Sequence, residues 1–238
     1  MDAKAGAFHQ SLEAIKSQHP DLPWYPHGTL LGNIMHFRSI FGGELDSLFS
    51  GGKRFADIGA GDGNLAFYLE SLGNSCDIYD YAPTNYNSLR GARAYKEALG
   101  SAVNIYDLDL DSQFNLDGGY DLVFLLGILY HLKNPFYALE RLSKATRYMV
   151  VSTRIARHFK AGGPDESEFA AAYLVGPKEL NNDSTNYWIF TAAGLRRIVD
   201  RAGWDIVRLL TVGDVEASNA QDADHDERAY CILRSRHR

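Results

Sequence analysis

Little in this chain speaks for export, for a membrane or for a metal. Two cysteines in 238 residues cannot build a disulfide framework. Cys76 and Cys231 both sit in apolar, strand-like contexts, where a buried free thiol is expected rather than a bridge or a metal ligand. No apolar run approaches the roughly 20 residues that span a bilayer, and the opening MDAKAGAFHQSLEAIKSQHP lacks the apolar stretch of a secretory signal. A cytoplasmic location without a membrane partner is expected. No Pro- or Ser-rich linker, charge block, repeat or low-complexity tract divides the chain. A basic stripe with interleaved aromatics is missing, and a formal net charge of -6 offers no long-range attraction to a polyanion. The one basic cluster, Arg234, Arg236 and Arg238, reads as a solvated tail. Absent as well are a Ser-His-Asp order, a zinc-type spacing of Cys and His, and a lysine in a phosphate loop, so neither a triad nucleophile nor a metal centre is expected.

What is present is an ordinary globular composition, with 45% hydrophobic and 23% charged residues, and enough length for one substantial core. Residues 5–18 have the pattern of a short amphipathic helix, and HPDLPWYPHGTLLGN then reads as irregular chain. From Lys53 strands and helices alternate. RFADIG is a strand. Leu65, Leu69 and Leu72 share one face of the next helix, which Gly73 ends. CDIYD is a strand, 84–99 a helix closed by Gly100, AVNIYDL a strand, and YDLVFLL (120–126) a strand apolar enough to be covered on both faces. Asn134 and Pro135 supply an N-cap and a first-turn proline for the helix FYALERLSKAT, and YMVVST follows as a strand. After a long stretch from Arg154 to Phe190 come a helix over 191–202 and two strand-like runs, DIVRLLTV and AYCILR, with no helix between them. These two are expected to pair antiparallel beside an otherwise parallel sheet. The reading gives an α/β fold: a seven-stranded, mostly parallel sheet with helices on both faces and an antiparallel C-terminal strand.

The stretch FADIGAGDGNLAFYLESLG carries the chemistry. Ligands of open α/β sheets bind beyond the carboxyl ends of the strands, and a glycine turn lets a ligand lie against bare backbone. Gly59, Gly61 and Gly63 are spaced by two, and Asn64 stands where a dinucleotide fingerprint needs its third glycine. Asp57, just ahead of the turn, repels a pyrophosphate and attracts an ammonium or sulfonium group. The expected guest is therefore cationic.

DIGAGDG resembles the Asp-x-Gly-x-Gly-x-Gly signature of the class I S-adenosylmethionine-dependent methyltransferases, whose Rossmann-like order of elements is matched from Lys53 to Arg234. The resemblance implies a cofactor cradle of Asp57, Gly59, Ala60, Gly61, Gly63 and Asn64. It further implies Asp80 on the ribose hydroxyls with Tyr81 at the adenine edge, and Leu108 and Asp109 (or Asp107 or Asp111) at the adenine itself. GILYHLKNP (127–135) looks like the Leu-Tyr-His segment of the tRNA wobble-uridine carboxymethyltransferases and their relatives; it implies Gly127 and Tyr130 beside the cofactor and Tyr130 and His131 toward the departing methyl group. Arg228 falls near an arginine that binds the carboxylated cofactor in that subgroup, although the lysine which the subgroup places upstream has no counterpart here. Equally, Arg228 can pair with Asp224, Asp226 or Glu227.

Methyl transfer from S-adenosylmethionine needs no protein nucleophile, which agrees with the missing triads. His131 or His27 is a candidate base for a hydroxyl acceptor. The acceptor pocket is expected from Trp24, Tyr25 and His27 before the core, Arg154 after the fifth strand, Asn186, Tyr187 and Trp188 before the last helix, and Arg228. On this division residues 1–50 are a helix and lid or substrate segment, 51–238 the cofactor-binding core, and 154–190 a substrate-side insertion within one structural domain. The leading expectation is methyl transfer to an oxygen or nitrogen of a small molecule, with carboxy-S-adenosylmethionine second to S-adenosylmethionine as cofactor. Three alternatives stand beside it: tRNA uridine alkylation, disfavoured by the acidic balance; an adenosyl-binding protein without chemistry; and a nicotinamide oxidoreductase, opposed by Asn64.

Overall fold

A computed structural model describes residues 2–26, 29–112, 114–116 and 118–238. The chain resolves into two compact units. The first comprises residues 1–110 and 119–124, the second 111–118 and 125–238. Among the described residues no helix is long and apolar enough to cross a membrane.

The first unit opens with helix α1 (Asp2–Gln18), which buries Ala5, Leu12 and Ile15 along one face. A second helix, α2 (Leu30–Phe41), corrects the expectation of irregular chain. Three prolines and a glycine precede it, but Leu30, Ile34, Phe37 and Phe41 recur at helical spacing and are buried, and the Thr29 hydroxyl accepts from Gly32 N–H as an N-cap. A short helix, α3 (Leu45–Leu48), follows. Phe37, Phe49, Phe55 and Phe124 then form an aromatic cluster with centroids 5.5 to 6.0 Å apart. Packed at tilted and edge-on angles, such rings supply much of the apolar burial that anchors the strand bearing Phe55.

That strand is β1 (Arg54–Ile58); α4 (Asn64–Ser71), β2 (Ser75–Asp80), α5 (Arg90–Leu99) and β3 (Asn104–Asp107) follow. The strands lie in the order β3-β2-β1, all parallel, with Asp57 opposite Ile78 and Asp80 opposite Asp107. The first residues of β4 (Leu122–Leu126) belong to the same unit, where the backbones of Asp121 and Arg54 are joined by a hydrogen bond of 2.8 Å. Gly73 and Gly100 take positive φ just past the ends of α4 and α5, as expected of helix stops. Helix α5 begins six residues later than the pattern of 84–99 suggests. The Asn85 side-chain oxygen, Oδ1, accepts from the N–H groups of Asn87 and Leu89, and this local turn draws Ser88 and Leu89 to φ of 56 and 64°, outside any helix.

The second unit holds the end of β4, α6 (Pro135–Ala145), β5 (Tyr148–Ile155), β6 (Ala172–Leu174), β7 (Trp188–Phe190), α7 (Ala192–Arg201), β8 (Trp204–Gly213) and β9 (Glu227–Ser235). Strands β8 and β9 pair antiparallel, as expected, and β9 also runs antiparallel to β5. The pair β6 and β7, one joined to β5 in parallel and the two antiparallel to each other, lies within the stretch 154–190 expected as an insertion and brings the strands among the described residues to nine. Strands of three residues carry too little periodicity to stand out in a sequence. The cap of α6 also differs from expectation. Asn134 does not cap with its side chain, which donates to the carbonyl of Asp111; the Asp111 carboxylate instead takes the N–H groups of Lys133 and Asn134. Cys76 and Cys231 are buried free thiols, each in its own unit.

One glycine fixes the junction of β1 and α4. Gly63 has φ of 80°, and a Cβ there would lie 2.5 Å from Ile78 Cδ1 and 3.0 Å from Phe67. Gly63→Ala therefore incurs both a left-handed penalty and an overpacking penalty, about 2–4 kcal/mol in total. The midpoint of urea unfolding should fall markedly; an unchanged midpoint contradicts this packing.

Candidate active site

The turn after β1 places three glycines in the left-handed region, with φ of 66, 61 and 80° at Gly59, Gly61 and Gly63. Gly59 N–H bonds the Tyr79 carbonyl at 2.7 Å, which ties the turn to β2, and Gly63 N–H closes it onto Ala60 at 2.9 Å. The middle glycine presents bare backbone to an aromatic ring: a Cβ on Gly61 would meet Tyr25 at 3.4 Å. Asn64 opens α4 with a buried side-chain oxygen that has no protein donor.

Two carboxylates stand at neighbouring strand ends beside this turn. Asp57, 5% exposed, is held by the backbone of Ala66 in the first turn of α4. Burial, with the nearby Asp80 carboxylate adding to it, pushes its pKa up to about 7. Asp80, 8% exposed, accepts from Tyr81 N–H at 2.7 Å, Gly61 N–H at 2.9 Å and the Asn85 amide at 3.0 Å. Burial raises it to about 6 in spite of these three donors. Neither acid has a basic side chain among the groups that set its value. Asp77, three residues before Asp80 on β2 and opposite Ala56 of β1, shows the contrast. Burial opposes its ionisation too, yet Tyr120, Asn104 and Arg54 donate to it and hold it below the ordinary carboxylate range. Among the described residues Arg54 meets Asp77, and no basic side chain bonds Asp57 or Asp80.

At the end of β3, Leu108 N–H bonds the Asp80 carbonyl at 2.9 Å, which puts Leu108 and Asp109 next to the tip of β2 with Tyr81. Of the acids open as alternatives to Asp109, Asp107 accepts from Ala82 N–H, and Asp111 is spent on the entry to α6. Ahead of the core, the segment 23–25 is strapped to the turn by residues that the sequence reading did not single out. Tyr25 N–H donates to Asp62, whose other oxygen takes the Asn87 amide; that amide also reaches the Pro23 carbonyl, and Tyr86 N–H donates to the Tyr25 hydroxyl. Their only signal was the run of amide side chains in TNYN. Trp24, half-buried, packs on Tyr95 with ring centroids 4.6 Å apart and donates its indole N–H to the His19 carbonyl. His27 lies outside the described residues.

The second unit holds the remaining candidates. Gly127, with φ of 70°, turns the chain out of β4 and donates its N–H to Ser152. Tyr130 and His131 follow with their rings 4.1 Å apart. Nδ1 of His131 meets both the carbonyl and the hydroxyl of Thr185. Burial lowers the His131 pKa, with Asp183 and Thr185 opposing the shift and Arg228 adding to it, so the imidazole is neutral at pH 7. Arg154 and Arg228 face each other across β5 and β9 and share one carboxylate. Asp226 lies 3.3 Å from Arg154 Nε and 2.8 Å from Arg228 Nε. Arg228 thus has the acidic partner that the sequence offered as an alternative, and its guanidinium also stands 5.7 Å over the Tyr130 ring. Arg154 is buried and bonded to the carbonyls of Asn219 and Asp222. Tyr187 N–H bonds the Tyr130 carbonyl, whereas Trp188 reaches the Lys133 carbonyl and lines a shallow groove with Phe136 and Phe190. Asn186 is a turn-builder: its amide donates to Leu180 and Asp183. His131, Tyr130, Arg228 and Tyr187 thus come together, and Trp188 faces elsewhere.

A family model described as a methyltransferase domain matches residues 40–209. No curated protein matches the chain. Among solved structures, the N-terminal domain of EvdMO1, crystallised with SAH and D-fucose, superposes with a TM-score of 0.61 at 17% identity over 96% of this chain and 95% of that one. An S-adenosylmethionine-dependent methyltransferase from Mesorhizobium loti gives 0.59 at 16% identity over 80% and 97%. The [4+2]-cyclase SpnF gives 0.57 at 16% identity over 81% and 80%. At these identities the likeness is one of fold: mixed α/β, with a mostly parallel sheet and an antiparallel C-terminal pair.

The raised acid has a consequence for stability. Asp57 binds its proton more tightly folded, at about 7, than unfolded, so its contribution is fully present below the unfolded value near 4 and is lost as pH rises to about 7. Asp57→Asn removes that dependence. Denaturation midpoints of the two proteins should therefore diverge in favour of the variant between pH 5 and 8; parallel curves contradict the assignment.

Proposed function

This chain belongs to the methyltransferase-domain family, and from that premise we propose that it transfers a methyl group from S-adenosylmethionine to an oxygen or nitrogen of a small organic molecule. The observation that carries the reading is the pair Asp57 and Asp80, buried beside a bare glycine turn and, among the described residues, bonded to no basic side chain. Taking a charge out of water is costly unless it is paired, and a cationic guest relieves both acids at once. A pyrophosphate worsens the deficit. In support, the neighbours crystallised with SAH, and the one named as an S-adenosylmethionine-dependent enzyme, share the fold.

When bound, S-adenosylmethionine supplies a sulfonium methyl whose carbon–sulfur bond breaks with its electron pair remaining on sulfur. The chain's own task is to bind, orient and exclude water. Gly59, Ala60, Gly61 and Gly63 offer backbone against which the ligand lies, with Asn64 presenting its unpaired side-chain oxygen and Tyr25 as an aromatic wall. Asp80 is assigned to the ribose hydroxyls, Tyr81, Leu108 and Asp109 to the adenine, and Asp57 to the positive end. In the second unit, Gly127 and Tyr130 serve the cofactor. His131, half-buried and with its pKa lowered, is assigned as the base that receives the proton of a hydroxyl acceptor. Tyr187, Arg154 and Arg228 are assigned to acceptor binding.

A second reading, transfer of a carboxymethyl group from the carboxylated cofactor, draws on Arg228 over Tyr130; it is opposed by the commitment of Arg228 Nε to Asp226. Alkylation of tRNA finds no support in a chain of net charge -6.

Calorimetric titration with S-adenosylmethionine, S-adenosylhomocysteine, the carboxylated cofactor and NAD separates these readings. The first two should bind and NAD should not. Because a sulfonium favours the ionised acids, its affinity relative to that of the uncharged thioether should rise as pH passes through about 6 and 7 and then level. Binding of NAD alone, or a ratio indifferent to pH, defeats the proposal. His131→Ala should lower turnover of a hydroxyl acceptor roughly 100-fold or more, with cofactor affinity retained.

A further inference from the structure

Thr185 presents two oxygens to Nδ1 of His131, its carbonyl at 3.1 Å and its hydroxyl at 3.0 Å. The hydroxyl proton is committed elsewhere. It is donated to Asp183 Oδ1 at 2.7 Å, and the same carboxylate oxygen accepts Thr185 N–H at 2.9 Å. An ionised carboxylate has no proton to return, so the hydroxyl oxygen, like the carbonyl, turns lone pairs toward the imidazole. A lone pair on Nδ1 would face two acceptors, whereas a proton there satisfies all three groups. The hydrogen-bond network therefore assigns the Nδ1–H tautomer and leaves the lone pair on Nε2.

The arrangement is anchored on both sides. The Asn186 amide holds the turn 180–183 through the carbonyls of Leu180 and Asp183, and Tyr187 N–H fastens the next residues to the Tyr130 carbonyl at 2.8 Å. The charged and titratable groups that face His131 are Asp183, which favours the imidazolium, Arg228, which opposes it, and Tyr130, whose ring lies 4.1 Å away.

We propose that Thr185 and Asp183 are positioning residues that hold His131 in the Nδ1–H tautomer with Nε2 free as a base, which fits an acceptor that must lose a proton, a hydroxyl, rather than one that attacks through a free lone pair. The proposal rests on the reading of His131 as the base. In the step, the acceptor O–H bond would break with its proton going to Nε2, and the oxygen's electron pair would form the bond to the methyl carbon as the carbon–sulfur bond breaks and leaves its pair on sulfur. The imidazolium so formed keeps its Nδ1–H on Thr185, with the Asp183 carboxylate behind it, as acids placed behind catalytic histidines do.

Long-range proton–nitrogen spectra of the free protein with 15N-labelled histidine test this without any cofactor. The unaltered protein should show a protonated Nδ1 and a bare Nε2 at neutral pH. Asp183→Asn keeps an acceptor for Thr185 but removes the charge, so the tautomer should persist while the His131 pKa falls by roughly half a unit or more. Asp183→Ala frees the Thr185 hydroxyl to donate to Nδ1, and the tautomer should move toward Nε2–H, with kcat for a hydroxyl acceptor falling about tenfold or more and KM little changed. A protonated Nε2 in the unaltered protein, or an Asp183→Asn protein that titrates as the unaltered one does, overturns the proposal. Should Asp183→Ala fail to fold, the Asp183→Asn titration decides alone. Full turnover by His131→Ala would refute the base assignment yet leave the tautomer result standing, so the two failures are distinguishable.

Discussion

The interaction on which this molecule turns is one between two buried carboxylates at adjacent strand ends, which no cation meets among the described residues. A parallel sheet makes the placement unavoidable. Its strands all point one way, their carboxyl ends gather with the amino ends of the following helices, and side chains at those ends crowd into one edge. Asp57 and Asp80 occupy such positions on β1 and β2 and are pushed toward protonation by burial. Asp77, on the same strand as Asp80, shows that this is no failure of packing. There Arg54, Tyr120 and Asn104 converge on the acid and hold it ionised. A site left poor in positive charge in this way selects for a cationic ligand, and the left-handed glycines supply the bare backbone against which it rests.

The second unit solves a different problem, that of making an irregular segment precise. The stretch between β5 and α7 is long, and its far end must hold Thr185 against His131. Short strands do this economically. Strand β7 pairs with β5 through Ile155 and Phe190, and β6 doubles back on β7, so the chain between them is pinned within a few residues of where it is needed. The backbone bond from Tyr187 to Tyr130 completes the attachment. The antiparallel pairing of β9 with β5 sets Arg154 directly opposite Arg228, an arrangement of like charges that is unfavourable by itself. Asp226 lies against both guanidiniums and offsets it.

Fold and chemistry separate clearly here. The neighbours include one protein named as an S-adenosylmethionine-dependent methyltransferase and one named as a [4+2]-cyclase, at similar superposition. The sheet therefore supplies a scaffold, and the case for transfer of a methyl group rests on family membership and on the acids, while the case for the acceptor rests on side chains outside the regular core.

Features that depend on neighbours in the chain were legible in the amino-acid order. The strand and helix sequence from Lys53 onward, the glycine turn with Asp57, Asp80 at the end of β2 and the antiparallel closing pair each follow from local periodicity or from residues a few positions apart. What depends on partners distant in the chain was not. Helix α2 was hidden behind prolines, the β6–β7 pair behind strands of three residues, and the late start of α5 behind an Asn85 side chain that outcompetes the helix for Leu89 N–H. The Asp62 strap, the Arg154–Asp226–Arg228 arrangement and the Thr185 contact to His131 join residues 37 to 74 positions apart. A sequence states which groups exist and how they alternate. Only the folded chain decides which of them lose water together, and that shared desolvation pushes the pKa of Asp57 up and that of His131 down.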